Sequence, residues 1–153
     1  MADRIKGITI EIGGDTSSLS KAISGVNKEL KGTQDQLRDV ERLLKFDPGN
    51  TQLLEQQQRL LAQSISETSQ KLEILKNAED QTQKKFKEGK VSREQYDALT
   101  REVIETENAL KKLTKRADEN ADAMKNAGNA AEEMTENTHD LSSAILSVAD
   151  AAG

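Results

Sequence analysis

The chain has 153 residues, of which 34% are hydrophobic, 32% are charged and only 2% are aromatic. This composition is typical of long helices and coiled coils rather than of a domain with a thick apolar core. The absence of cysteine excludes disulfides and thiolate metal sites. The net charge is −5, and residues 117–153 hold eight acidic side chains against Lys125 alone. Because the C-terminal end is acidic and the remainder is near neutral, and because no run of ~20 apolar residues occurs, we predict neither specific nucleic-acid binding nor a membrane segment.

The first 14 residues are predicted to contain a short β-strand. Ile8, Ile10 and Ile12 alternate with Thr9 and Glu11, which is the period-two pattern of a half-buried strand. A lone strand is not stable, so this one must pair with something. We expect its edge to extend a sheet in a partner or in other copies of the chain, with the three isoleucines in the contact. An unstructured chain end is the alternative.

A heptad repeat dominates the chain from residue 19 onward. Apolar side chains recur at spacings of four and three, which gives the narrow seam of a coiled coil. The seam consists of Leu19, Ile23, Val26, Leu30, Thr33, Leu37, Val40 and Leu44, then of Leu54, Gln58, Leu61, Ile65, Thr68, Leu72, Leu75, Glu79, Thr82 and Phe86, and then of Tyr96, Leu99, Val103, Thr106, Leu110 and Leu113. We therefore predict an all-α fold of long antiparallel helical hairpins in a coiled coil, preceded by the short strand.

Turn and cap residues divide this repeat into three helices, at about 16–46, 50–88 and 92–127. Gly13-Gly14 ends the strand, and Asp15, Ser17 or Ser18 caps the first helix. The sequence Asp47–Asn50 contains Pro48 and predicts the first turn. The second turn follows Gly89, and Ser92 with Gln95 forms a capping box. Residues 15–127 are thus predicted to form a three-helix domain, and residues 128–153 an acidic, alanine-rich segment that leads into a longer protein.

One threonine occupies a comparable seam position in each helix. These residues are Thr33, Thr68 and Thr106, and a single polar residue in an apolar seam can specify register. They are our candidate self-association residues together with the isoleucines. Two architectures fit this pattern. One is an intramolecular antiparallel bundle, which the short turns favour. The other is a parallel homo-oligomer in which each threonine layer meets its own copies.

No motif indicates catalysis. The single histidine, His139, lies in a polar stretch and cannot form a metal site alone. We predict no enzyme activity, no cofactor, no metal and no small-molecule substrate. A cationic cluster surrounds the second turn, and it is interpreted as a solvated helix end, with a docking patch for an acidic partner as the alternative. It consists of Lys84, Lys85, Lys87, Lys90 and Arg93.

Three blocks in succession resemble phage tail tape measure proteins of Gram-positive bacteria. The first block is Ile8–Ala22, the second runs from Val26 through Thr51 and includes Leu43-Leu44-Lys45-Phe46-Asp47-Pro48-Gly49-Asn50, and the third is Gly89–Leu99. Together they cover about residues 5–116. The resemblance implies a structural virion protein that lies in the tail lumen in several copies and sets tail length. It also implies assembly in the bacterial cytoplasm and contacts with tail tube, tail chaperone and tail tip proteins.

Because two turns are predicted within residues 1–153, we do not expect this segment to measure tail length itself. A helix translates residue number into length at ~1.5 Å per residue, but a segment that folds back measures little. We therefore expect residues 1–153 to be the N-terminal head that nucleates assembly, with the ruler downstream. The alternative function is a cellular coiled-coil adaptor or an exported helical-hairpin protein.

Overall fold

The computed structural model describes residues 5–134, and the side chains of residues 5–128. The elements in chain order are β1 (Thr9–Ile12), β2 (Asp15–Ser18), α1 (Leu19–Phe46), α2 (Thr51–Lys87) and α3 (Arg93–Met134). The three helices follow one another through short turns and fold back within one chain. The predicted all-α fold of helical hairpins with a short N-terminal strand is confirmed.

The described residues divide into two compact units, and each helix contributes a segment to both. Unit 1 contains residues 5–31 and 66–111, and unit 2 contains residues 32–65 and 112–134. In each unit the α2 segment runs opposite to the segments of α1 and α3, because consecutive helices reverse direction at the turns. This is the intramolecular antiparallel arrangement.

Unit 1 has an apolar core to which the N-terminal segment and all three helices contribute. Its buried members are Ile5, Ile8, Ile10, Leu19, Ile23, Val26, Leu75, Ala78, Leu99 and Val103. The helical members other than Ala78 are seam positions of the heptad repeat, and Ala78 widens the apolar face of α2. The first three members precede the helices altogether. The N-terminal segment is therefore part of the core rather than an appendage.

Unit 2 has a smaller apolar cluster. Leu37, Leu61 and Leu113, one from each helix, are buried in it. A polar side chain, Asn120, is also buried in this unit beside Met124. An ion pair between Arg116 and Glu41 links α3 to α1 at 2.5 Å, with both side chains partly exposed. Packing in unit 2 thus combines a short leucine layer with polar contacts.

The helix ends follow from local side-chain chemistry. Asn50 caps α2, since its Oδ1 accepts a hydrogen bond from the backbone N–H of Leu53 at 3.0 Å. Before α3, Ser92 Oγ accepts from the Gln95 backbone N–H at 3.1 Å, while Gln95 Oε1 accepts from the Ser92 backbone N–H at 3.1 Å. This is the predicted capping box. Gly89, with φ of 74°, takes the left-handed conformation that ends α2.

The start of α1 and the end of α3 differ from the prediction. Residues 15–18 form β2, so α1 begins at Leu19 rather than near residue 16. Ser18 still supplies the cap, because its Oγ accepts from the Lys21 backbone N–H at 3.2 Å. At the other end, α3 continues to Met134 instead of ending near 127. Alanine-rich sequence has high helix propensity, which supports the helix where the seam residues are small.

Candidate docking site: the N-terminal hairpin and its seat

The N-terminal strand pairs within its own chain. β1 and β2 form an antiparallel hairpin in which Ile10 faces Ser17 and Ile12 faces Asp15. Gly13 and Gly14 connect them with φ values of 59° and 88°. Positive φ at both central residues defines the type I′ turn, whose twist matches that of the flanking strands. The glycine pair that was predicted to end the strand is therefore a two-residue hairpin turn.

The three isoleucines do not share one environment. Ile8 and Ile10 are each only 1% exposed and lie in the core of unit 1, whereas Ile12 is 52% exposed beside the turn. A partner contact through the three isoleucines stays a prediction, and Ile8 and Ile10 are already buried within their own chain. The physical reason is that the chain's own helices provide the apolar surface that these residues need. Ile12 alone of the three keeps an exposed apolar side chain.

Two side chains of α2 occupy the outer edge of β1. The Gln81 side-chain amide accepts from the Glu11 backbone N–H at 2.8 Å and donates to the Glu11 carbonyl oxygen at 3.1 Å. One turn further along α2, Lys85 Nζ donates to the Thr9 carbonyl oxygen at 3.2 Å and to Thr9 Oγ1 at 2.9 Å. Gln81 therefore takes the place that a neighbouring strand would fill. The β1 edge that we expected to extend a sheet is closed.

The start of α3 holds the segment before β1. Gln95 Nε2 donates to the Lys6 carbonyl oxygen at 3.3 Å. Gly7 has φ of 86°, and a Cβ built at this position would lie 2.7 Å from the same nitrogen atom. The left-handed backbone conformation favours glycine here, and a Cβ would have to displace the Gln95 amide group. We refer to Gln81, Lys85 and Gln95 as the hairpin seat.

The seam threonines are buried as the heptad pattern predicts. Thr68 and Thr106 lie in unit 1 and Thr33 lies in unit 2. Thr106 Oγ1 donates to the Glu102 carbonyl oxygen at 2.7 Å, four residues earlier in the same helix. This bond satisfies its hydroxyl group locally. A role of the three threonines in register or self-association stays a prediction.

A register-setting polar residue that we did not single out lies in unit 2. Asn120 Nδ2 donates to the Leu54 carbonyl oxygen at 3.1 Å and to Gln58 Oε1 at 2.7 Å. These bonds join α3 to α2 at a fixed level. The signal was present in the sequence, because Asn120 continues the heptad phase of α3 and a buried asparagine at such a position specifies pairing.

Much of the cationic cluster at the second turn is engaged within the chain. Lys85 belongs to the hairpin seat, and Lys90 pairs with Glu88 at 3.0 Å. The Arg93 guanidinium lies 5.3 Å from the centre of the Phe86 ring, which stacks on Tyr96 at 5.2 Å. These contacts give the cluster a structural role. Of these contacts, the Lys90–Glu88 pair alone joins opposite charges, and a docking patch for an acidic partner stays the alternative interpretation.

The carboxyl group of Glu79 is perturbed. Burial raises its pKa above the ordinary value, and the nearby carboxylates of Asp80 and Glu107 raise it further, while Lys76 lowers it. Perturbed carboxylic acids are candidates for acid–base chemistry when other reactive groups converge on them. Within residues 5–134 no cluster of His, Cys, Asp and Glu could hold a metal ion.

Two buried side-chain hydroxyl groups stand out among the residues that the structure describes. The buried hydroxyl groups of Ser64 and Thr82 have no hydrogen-bond partner in this part of the chain. The single histidine, His139, lies outside the described residues. The acidic, alanine-rich segment that we predicted at residues 128–153 also lies mostly outside.

The helices that the structure describes include none with the length and hydrophobicity needed to cross a bilayer. Comparisons of the chain with protein-family models, curated proteins and solved structures find no match.

Proposed function

We propose that this chain is the N-terminal part of a phage tail tape measure protein, a structural component of the virion that sets tail length. Residues 1–153 act as its assembly-initiating head. The observation that carries the proposal is the fold-back of α1, α2 and α3, together with the three sequence blocks that resemble the family. The blocks at Ile8–Ala22 and Gly89–Leu99 contain the hairpin and the second turn.

The hairpin seat supports a head rather than a ruler. A ruler needs a helix that runs on, so that each residue adds ~1.5 Å to its length. In unit 1 the chain instead reverses at Gly13-Gly14 and again after α2, and the seat ties the N-terminal segment to both α2 and α3. Such a closed module suits anchoring and nucleation. Tail tube, tail chaperone and tail tip proteins are its proposed partners.

The first experiment asks where the protein is found. Bacteria that carry the gene are induced, and particles, cytosol and medium are separated and analysed by mass spectrometry. We expect the protein in tailed particles and in tail assembly intermediates. Recovery only in cytosolic complexes would support the adaptor alternative, and recovery in particle-free medium would support the exported helical-hairpin protein.

The second experiment tests the division between head and ruler. About seventy residues of helical heptad sequence are inserted after Gly153, and tail lengths are measured by negative-stain microscopy. We expect tails longer by ~105 Å. The matched control inserts the same segment at Gly89, between α2 and α3, where it extends the folded-back module and leaves tail length unchanged. Equal lengthening from both insertions would contradict the head, and no lengthening from either would contradict the ruler.

A further inference from the structure

Unit 1 has an open groove between α2 and α3. Its volume is about 440 Å³, and half-buried Leu72 and Leu110 contribute its apolar part. The remaining lining residues are polar or charged and come from α2: Ser69, Glu73, Lys76, Asn77 and Asp80. A groove of this kind offers a modest apolar contact surrounded by charges.

The outward face of α2 at this groove has a regular pattern. Six exposed polar or charged residues follow one another at spacings of three and four, so they lie along one stripe of the helix. We call this set the α2 row, and it consists of Ser66, Ser69, Glu73, Lys76, Asp80 and Gln83. Glu73, Lys76 and Asp80 form no ion pair within 4 Å among the described residues. Their charges are available to a partner.

The α2 row is complementary to its own reversed copy. An antiparallel copy centred between Ile74 and Leu75 brings Glu73 of each chain to Lys76 of the other. The same register brings Ser69 to Asp80, where the hydroxyl donates to the carboxylate, and Ser66 to Gln83. We propose that a second copy of this chain docks antiparallel on the α2 row, with Leu72 and Leu110 contributing the apolar part of the contact.

The charge order selects this orientation. In a parallel, in-register pair, Glu73 would meet Glu73 and Lys76 would meet Lys76, and like charges at such distances repel. The antiparallel register contains no like-charged pair along the row, and it repeats each favourable contact through the two-fold axis. The proposal concerns the chain itself and does not depend on its place in a virion.

Charge reversal tests the proposed contact. Sedimentation equilibrium of the purified full chain is expected to show a concentration-dependent dimer. Glu73→Lys and Lys76→Glu should each weaken dimerisation about tenfold, equivalent to ~1.4 kcal/mol, because each turns two attractive contacts into repulsive ones. An equimolar mixture of the two variants should regain the dimer. In the mixed pair the two substituted side chains face each other with opposite charges, and the unsubstituted Lys76 of one chain faces the unsubstituted Glu73 of the other.

The matched control is Lys28→Glu on an exposed face of α1, which should dimerise as the parent does. Circular dichroism verifies that the variants keep their helices, which is expected at exposed positions. Dimerisation unchanged by both reversals, a mixture that stays monomeric, or a parent chain that stays monomeric at all accessible concentrations would each overturn the proposal.

Cysteine cross-linking tests the orientation, because the chain has no cysteine of its own. In the antiparallel dimer, Ser69 of one copy lies near Asp80 of the other but ~16 Å along the helix from the second Ser69. A disulfide needs Cα atoms within about 7 Å. Oxidation should therefore link a mixture of Ser69→Cys and Asp80→Cys chains to each other, and neither variant to itself. Efficient self-linking of Ser69→Cys alone would contradict the antiparallel register.

Discussion

The two units differ in how the phenylalanine at a helix end is packed. Phe86, near the end of α2 in unit 1, stacks on Tyr96 and lies under Arg93. Phe46, at the end of α1 in unit 2, is 86% exposed. Aromatic stacking and a cation–π contact therefore stabilise the turn after Phe86, whereas the exposed Phe46 does not stabilise the first turn in this way.

The cores differ in the same sense. Three buried isoleucines of unit 1 come from the segment before the helices. The N-terminal segment and hairpin therefore cover apolar side chains that the three helices do not bury among themselves. Unit 2 has no comparable addition among its described residues, and a hydrogen-bonded asparagine occupies a seam position instead. Unit 1 thus gains apolar burial from the N-terminal segment, whereas unit 2 adds a buried polar contact to its own apolar side chains.

The largest expected effect comes from breaking the hairpin's contribution to unit 1. Ile10→Ala removes a fully buried side chain and leaves a cavity, so the free energy of unfolding should fall by about 2–5 kcal/mol in urea titrations. Ile12→Ala is the matched control on the same strand. Because Ile12 is half exposed, its loss should be below ~1 kcal/mol. Equal losses would show that the hairpin does not complete the core.

Replacing the buried asparagine of unit 2 is expected to raise the free energy of unfolding, whereas the Ile10→Ala substitution lowers it. Asn120 keeps a buried Oδ1 without a hydrogen-bond partner among the described residues. Asn120→Leu should raise the free energy of unfolding by about 1 kcal/mol, because a buried polar residue in a seam lowers stability in exchange for specificity. Amide resonances near Leu54 should then become doubled by alternative registers. A less stable variant, or one with a single set of resonances, would assign the asparagine a packing role only.

The hairpin seat can be weakened without touching the core. Gln81→Ala removes both hydrogen bonds to Glu11 and should cost roughly 1 kcal/mol. Hydrogen exchange at the Glu11 amide, measured by NMR, should accelerate by about fivefold, which is the same free energy expressed as an opening equilibrium. Gln70→Ala, at an exposed position of α2 in unit 1 outside the α2 row, is the matched control. Exchange that accelerates equally in both variants would show that the Gln81 hydrogen bonds do not specifically protect the Glu11 amide.

The smallest effect concerns Glu79 in unit 1. Its pKa is raised by burial and by neighbouring carboxylates, so its ionised form disfavours the folded state. Glu79→Gln should therefore melt at a higher temperature than the parent at pH 7. The difference should close as the pH falls through the raised pKa and below the ordinary carboxyl range, where both proteins are uncharged at this position. Glu119→Gln, on an exposed face of unit 2, is the control, and a gap that widens toward low pH would reverse the sign.

The helices could be predicted because one repeat governs them. The seam positions from Leu19 to Val40 are all buried, as a seven-residue period requires. The two turns were predicted from Pro48, which disfavours a helical conformation at the preceding residue, and from Gly89, because glycine readily adopts positive φ. In these segments the local sequence preferences and the tertiary packing favour the same conformation.

The hairpin could be predicted only in part. β2 has the sequence Asp-Thr-Ser-Ser, which shows no apolar alternation, and its first and last residues are common helix caps. Its strand conformation follows from pairing with β1, which is a tertiary property. The Gly-Gly pair carried the missing signal, since two glycines after an alternating strand are typical of a type I′ turn.

The contacts of the hairpin seat join residues that are 70 to 89 positions apart in the chain. At ~5–20 residues per second, the ribosome needs roughly 4 to 18 s to make the helices that cover the isoleucine-rich strand. Until those helices have been translated, the apolar surface that buries Ile5, Ile8 and Ile10 in the folded chain is incomplete. We therefore expect the nascent chain to expose these β-branched apolar side chains before unit 1 can fold.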